Sequence, residues 1–148
     1  MSRYDQESVV YGVIRHLPSV DIQQANYERS VNRSAIDNLP SGMEMDDLLL
    51  MREMFAQSGS DVFTGAYQTQ LIHFAASFRG VEYEWENWIS QFEQLLKGMY
   101  WVGATVHLET ELSGKHTFHW QSEPGHVPSA EELRMVCEWE RESAYGLA

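Results

Sequence analysis

Residues 85–120, WENWISQFEQLLKGMYWVGATVHLETELSGKHTFHW, decide the fold. Trp85, Trp88, Ile89, Phe92, Leu95, Leu96 and Met99 recur at three- and four-residue spacing, the period of one helix face. Glu82, Glu84 and Glu86 lie at the positive end of that helix, Lys97 lies at its negative end, and Gly98 is a stop. The pattern predicts a helix over 82–97. Beyond Gly98 the period changes to two. In residues 100–112 the even positions Val102, Ala104, Val106, Leu108 and Leu112 are apolar, and the odd positions Thr105, His107, Glu109 and Glu111 are polar. In residues 115–121 the even positions hold Phe118 and Trp120, and the odd ones Lys115, Thr117, His119 and Gln121. Two such strands bury one common face only if an odd number of residues joins them. The loop Leu112-Ser113-Gly114, with Gly114 left-handed, meets that condition. It places Leu108 opposite Phe118 and Val106 opposite Trp120 on the buried face. On the polar face it places His107 opposite His119 and Glu111 opposite Lys115.

Working outward, residues 8–16 (SVVYGVIRH) are β-branched and aromatic and are stopped by Pro18. Their apolar side chains do not alternate cleanly, which suits a strand covered on both faces. Ser19 is placed to cap a helix over 20–37, with Asp21 in its first turn and a thin apolar stripe of Val20, Tyr27, Val31 and Ala35. Residues 46–57 (DDLLLMREMFAQ) read as a second helix with Leu48, Leu49, Met51, Met54 and Phe55 as its apolar surface. Residues 61–65 read as a loop. Residues 67–78 alternate, with Ile72, Phe74, Ala76 and Phe78 on one side and Leu71, His73, Ala75 and Ser77 on the other, as in a strand. Ser129 and Glu132 form a capping box for a last helix that carries Leu133, Val136, Cys137 and Trp139. The order β-α-α-β-α-β-β-α predicts one α+β domain over 1–148, a mainly antiparallel sheet with helices packed on one face.

The chain has 22 acidic residues against 10 Lys and Arg, a net charge of −12. Such a surface repels nucleic acid and anionic membranes, and it favours encounter with a basic partner. No apolar run approaches the roughly 18 residues that a membrane span needs. The sequence MSRYDQE carries no apolar signal region, so a cytoplasmic protein is expected. The single cysteine, Cys137, excludes an intramolecular disulfide and a cysteine-based zinc site, and it reads as a buried thiol.

No nucleophile–base pair, phosphate-binding glycine loop or dinucleotide fingerprint is present, so neither an enzyme nor a cofactor is expected. Glu109 and Glu111 share a face, but Lys115 neutralises the second. The sharpest chemical grouping is His107 and His119 with Glu109, joined by His73 if strand order permits. Neutral imidazoles and a carboxylate suit Zn(II), Ni(II) or Cu(II), although no HxH or HExxH spacing supports them. Two acidic surfaces stand out. One carries Glu82, Glu84, Glu86 and Glu93, with Tyr83 as an aromatic anchor for a partner. The other is the predicted last helix, with Glu131, Glu132, Glu138, Glu140 and Glu142. The Met-rich segment with Met51, Met54 and Phe55 is a third candidate contact, for self-association.

The segment Phe92-Glu93-x-Leu95-Leu96, followed by a long strand and a return hairpin in a small acidic chain, resembles the immunity proteins of bacterial polymorphic toxins. The resemblance covers roughly the C-terminal half. It implies a cytosolic inhibitor that binds one cognate toxin and blocks its active site or substrate groove. The missing catalytic signatures and the −12 charge add the expectation of a non-catalytic chain, monomer or homodimer, with a basic toxin domain as partner. The resemblance carries over no binding residue; the acidic helix face is what makes Glu82, Tyr83, Glu84, Glu86 and Glu93 the expected partner contacts. The alternative reading is a metal-dependent or small-ligand-binding protein that uses His73, His107 and His119.

Overall fold

A computed structural model describes residues 7–42, 49–56, 69–122, 127–128 and 138–142. They form an α+β fold. The strands are β1 (Glu7–His16), β2 (Phe55–Ala56), β3 (Gln70–Arg79), β4 (Gly103–Thr110), β5 (Gly114–Gln121) and β6 (Glu138–Glu142). The helices are α1 (Ile22–Asp37) and α2 (Trp85–Lys97). The sheet order is β2-β3-β1-β4-β5-β6, and every neighbouring pair is antiparallel.

The central strand sets the register. Val10 lies opposite Ala76 on β3 and Leu108 on β4, and Ile14 lies opposite Ile72 and Ala104. These even positions, with Phe74, Val106, Phe118 and Trp120, form one core together with Ile36 of α1 and Trp88, Phe92, Leu95 and Leu96 of α2. Both helices therefore cover the same face of the sheet. Gly12 is required inside β1, because a Cβ there would run into the Thr105 carbonyl and the Phe74 ring.

The odd positions face away from the helices, so β1 is not covered on both faces as its sequence suggests. Val9, Tyr11 and Val13 are only half-buried. Their apolar character follows from the central position of β1, where side chains of β3 and β4 flank them on either side. The Tyr11 and His107 rings, for example, lie 4.9 Å apart.

In α1 the buried residues are Ala25, Glu28, Asn32 and Ile36, whereas Val20 and Tyr27 are exposed. The expected stripe of Val20, Tyr27, Val31 and Ala35 is rotated from the true one, because two of the four inward positions are polar and partnered. The cap is Asp21, whose side chain accepts from Gln23 N–H at 3.3 Å, and Ser19 Oγ accepts in turn from Asp21 N–H.

The helix predicted over 46–57 does not form in the part that is described. Residues Arg52–Met54 make a 3-10 turn that leads into β2. Distant partners take the backbone groups that a helix would pair locally. Arg52 N–H donates to Pro40 O at 3.0 Å, Leu50 N–H donates to Gln91 Oε1 at 3.2 Å, and Phe55 pairs with Phe74.

The last predicted helix is also overturned at its C-terminal end. Residues Glu138–Glu142 form β6 on the free edge of β5, with Trp139 opposite Phe118. The capping box Ser129/Glu132 and Cys137 lie outside the described residues, as do residues 61–65.

The β4–β5 hairpin keeps the expected parity but slips by two residues. Val106 lies opposite Phe118, Ala104 opposite Trp120, His107 opposite Thr117, Thr105 opposite His119 and Glu109 opposite Lys115. The three-residue loop is Glu111-Leu112-Ser113, and Gly114 takes φ 76° as the first residue of β5. Thr110 sets this turn, because its Oγ1 accepts from Ser113 N–H at 2.9 Å. Val102 precedes β4 and Leu112 sits at the loop tip, so both are exposed rather than in the core.

Candidate functional site

The acidic ridge predicted at Glu82, Tyr83, Glu84 and Glu86 is mounted where β3 gives way to α2. Gly80, at φ 70°, turns the chain out of β3 in a conformation that only glycine adopts freely. Residues Val81–Glu84 then form a 3-10 turn running into α2. Val81 N–H donates to the buried Ser8 Oγ at 3.2 Å, and Tyr83 N–H donates to Gly80 O at 3.1 Å. Behind the turn, Trp85 stacks on Trp88 at 5.0 Å and packs on Phe118 at 5.3 Å, while Phe92 meets Trp120 at 5.3 Å. The ridge thus stands on a continuous aromatic stack.

Tyr83 is 43 % exposed, and Glu84 and Glu86 are exposed. Glu82 is half-buried, and its Oε1 is enclosed without a hydrogen bond. Neither the Arg52–Glu53 ion pair nor the contact of His16 with Glu28 reaches Glu82, Glu84 or Glu86. Glu93 stands apart from these carboxylates, because its Oε2 accepts from Trp120 Nε1–H at 3.1 Å and so binds α2 to β5.

The open sheet face holds the histidines. His73, Val13, Thr105 and His119 lie in one row across β3, β1, β4 and β5. At about 4.8 Å per strand, His73 and His119 are roughly 14 Å apart. His107 lies in the next row. Each of the hairpin histidines pairs with a threonine, His107 Nδ1 with Thr117 Oγ1 at 3.0 Å and His119 Nδ1 with Thr105 Oγ1 at 3.1 Å. The two-residue slip of the hairpin is what separates His107 from His119. Among the described residues no three His, Cys, Asp or Glu side chains are placed to hold a metal. Beside His107, burial pushes the Tyr11 phenol up from its usual value, and the Glu109 carboxylate adds to the effect.

A buried polar network escaped the sequence reading. His16 and Glu28 are both buried, with His16 Nε2 and Glu28 Oε1 3.1 Å apart. Glu28 also accepts from Ser19 N–H at 3.1 Å and Gln24 Nε2–H at 3.2 Å, and His16 Nδ1 lies 3.0 Å from Gln70 Oε1. The four-residue spacing of Glu28, Asn32 and Ile36 was the available signal, but polarity masked it. The network joins β1, β3, α1 and the β1–α1 loop.

No family model, curated protein or solved structure matches the chain. Among the described residues no helix is long and apolar enough to cross a membrane. Chemically, the ridge is an exposed phenol set among carboxylates on a fixed base. Such a surface accepts hydrogen bonds from guanidinium and ammonium groups and offers them a ring face.

Proposed function

We propose that this protein is a non-catalytic, cytoplasmic binding domain whose acidic ridge docks a basic protein, most concretely an immunity protein that neutralises a bacterial toxin domain. One observation carries this reading: Tyr83, Glu84 and Glu86 are presented to solvent on a turn fixed by Ser8 and by the Trp85–Trp88 stack, with no ion pair of the described residues reaching the carboxylates. A preformed surface loses little side-chain freedom on binding. Carboxylates without internal cations keep their charge for a partner. The start of α2 also offsets their mutual repulsion through its partial positive charge. A partner with an Arg- or Lys-lined substrate groove meets this chemistry directly, and occupying that groove inhibits it without any reaction by this chain. Glu82 belongs to the same surface. Glu93 contributes from behind by fixing α2 on β5.

The test is the association rate with the partner against ionic strength, for the natural chain and for Glu82→Lys/Glu84→Lys/Glu86→Lys. The reading predicts association at least about tenfold slower in the variant and a flatter salt dependence. Identical rates for the two proteins would remove the ridge from the interface.

A further inference from the structure

The sheet face turned away from the helices carries two polar side chains that converge over β4. Arg15 on β1 lies opposite Gly103 on β4, which lies opposite Gln121 on β5. The next row of the same face is Val13, Thr105 and His119. The Arg15 guanidinium reaches across Gly103 and fills the space that a Cβ there would take. From the other side, His119 leans back onto β4, with Nδ1 3.1 Å from Thr105 Oγ1. Gly103 and Thr105 are two residues apart on one strand, so the guanidinium and the imidazole stand over points roughly 7 Å apart.

The backbone beneath them is fixed. Val102 N–H donates to Arg15 O at 2.8 Å, Ser122 N–H donates to Val102 O at 3.3 Å, and Ser122 Oγ donates to Trp101 O at 2.8 Å. The other Arg and Lys positions on this face of β1, β3, β4 and β5 are matched in register, Arg79 by Glu7 and Lys115 by Glu109. Arg15 is not, because the positions opposite it are Leu71 and Gly103. Among the described residues no carboxylate pairs with Arg15, and no hydrogen bond takes His119 Nε2.

We propose that Arg15 and His119 bind one phosphoryl group, carried by a small phosphate monoester or by free phosphate, with Gly103 as the floor of the site. The guanidinium fork donates to two phosphoryl oxygens, and the tetrahedral group directs a third toward His119. With the Thr105 hydroxyl donating to Nδ1, the neutral imidazole carries its proton at Nε2 and donates it to that oxygen. A planar carboxylate spends both oxygens on the fork and turns none to the imidazole. Charge limits the size of the ligand. A chain of net charge −12 repels a polyanion such as nucleic acid, whereas a single phosphoryl group meets the guanidinium at close range. Glu138 of β6 lies opposite His119 on the side away from Gly103, which bounds the site there. Ser8, which anchors the acidic ridge, is seven residues of β1 away from Arg15, about 23 Å at 3.3 Å per residue, so the two sites are separate.

The experiment follows backbone amide NMR shifts of the isotope-labelled full chain during titration with glycerol phosphate, inorganic phosphate and acetate at pH 7. It compares the natural protein with Arg15→Gln, His119→Gln and Gly103→Ala. Either phosphate should give saturable shifts centred on Arg15, Gly103, Thr105 and His119, with a Kd of about 1 mM. Acetate should bind at least about tenfold more weakly. Saturation by glycerol phosphate identifies a monoester site, and saturation by inorganic phosphate alone identifies a free-phosphate site. Arg15→Gln and His119→Gln should each weaken phosphate binding at least about fivefold. Gly103→Ala should weaken it as much without changing any charge, because its methyl group displaces the guanidinium. All three variants should keep the natural spectral dispersion, since Arg15 is exposed and His119 half-buried. Shifts that never saturate, acetate binding as tight as phosphate, or a Gly103→Ala protein that binds like the natural one overturns the proposal. None of these results bears on the ridge, whose own variants report on partner binding.

Discussion

The side-chain amide of Asn32 meets the backbone of Tyr100 at both of its atoms. Nδ2–H donates to Tyr100 O at 2.9 Å, and Oδ1 accepts from Tyr100 N–H at 2.7 Å. This pairing joins α1 to the connection between α2 and β4. Asn32→Ala leaves a backbone donor and acceptor without their partner, and it should lower the unfolding free energy by about 2–3 kcal/mol. Asn32→Asp keeps the acceptor but sets a carboxylate against the Tyr100 carbonyl, and it should recover only part of the loss. Urea unfolding of the three proteins checks both expectations.

Glu93 and the ridge carboxylates should separate by readout. Glu93→Ala removes the acceptor of Trp120 Nε1–H and should cost about 1–2 kcal/mol of stability. Glu93→Gln should restore most of it. Glu84→Lys, at an exposed position, should leave the unfolding midpoint nearly unchanged and alter association with the partner instead. A Glu84→Lys protein that unfolds as readily as Glu93→Ala would assign the ridge a structural role.

Much of this architecture was legible in the sequence because its elements advertise their period. The faces of Trp88, Phe92 and Leu96 on α2, and of Ile72 and Phe74 on β3, are apolar side chains at regular spacing. The misreadings share one cause, namely that partners far away in the chain outweigh local pattern. The inward face of α1 carries Glu28 and Asn32, whose partners His16 and Tyr100 become neighbours only after folding. Residues 49–56 have the composition of a helix but give their backbone groups to Pro40, Gln91 and β3. In the hairpin, parity followed from the apolar alternation, whereas register depended on Thr110 closing the turn onto Ser113. That detail separated the histidines. At the candidate site, charge and the aromatic neighbour were readable at Glu82, Tyr83, Glu84 and Glu86, but the tie of Glu93 to Trp120 was not.

Gly114 tests the turn. Its φ of 76° lies in the left-handed region, so Gly114→Ala should destabilise by about 1–2 kcal/mol. Gly98→Ala, at a helix end with negative φ, should cost less. Thermal melts of the two variants give the comparison.

Tyr11 supplies a pH signature. Burial raises its phenol above the ordinary 10.0, Glu109 raises it further, and Lys115 lowers it. Because the folded value exceeds the unfolded one, the associated stability is complete below pH 10.0 and is lost as pH rises through the folded value. Glu109→Gln should move the Tyr11 titration down, and Lys115→Met should move it up. Ultraviolet difference titration at high pH reads both. A downward shift in the lysine variant would contradict the placement of these side chains.

The most direct test of the central claim is affinity capture from lysate of the native host at low and moderate salt, with the natural chain and the Glu82→Lys/Glu84→Lys/Glu86→Lys variant side by side. The account predicts one basic protein retained in stoichiometric amount by the natural chain and lost from the variant, with the activity of that protein inhibited when it is bound. The same protein held equally by both chains, or no stoichiometric partner for either, would contradict it.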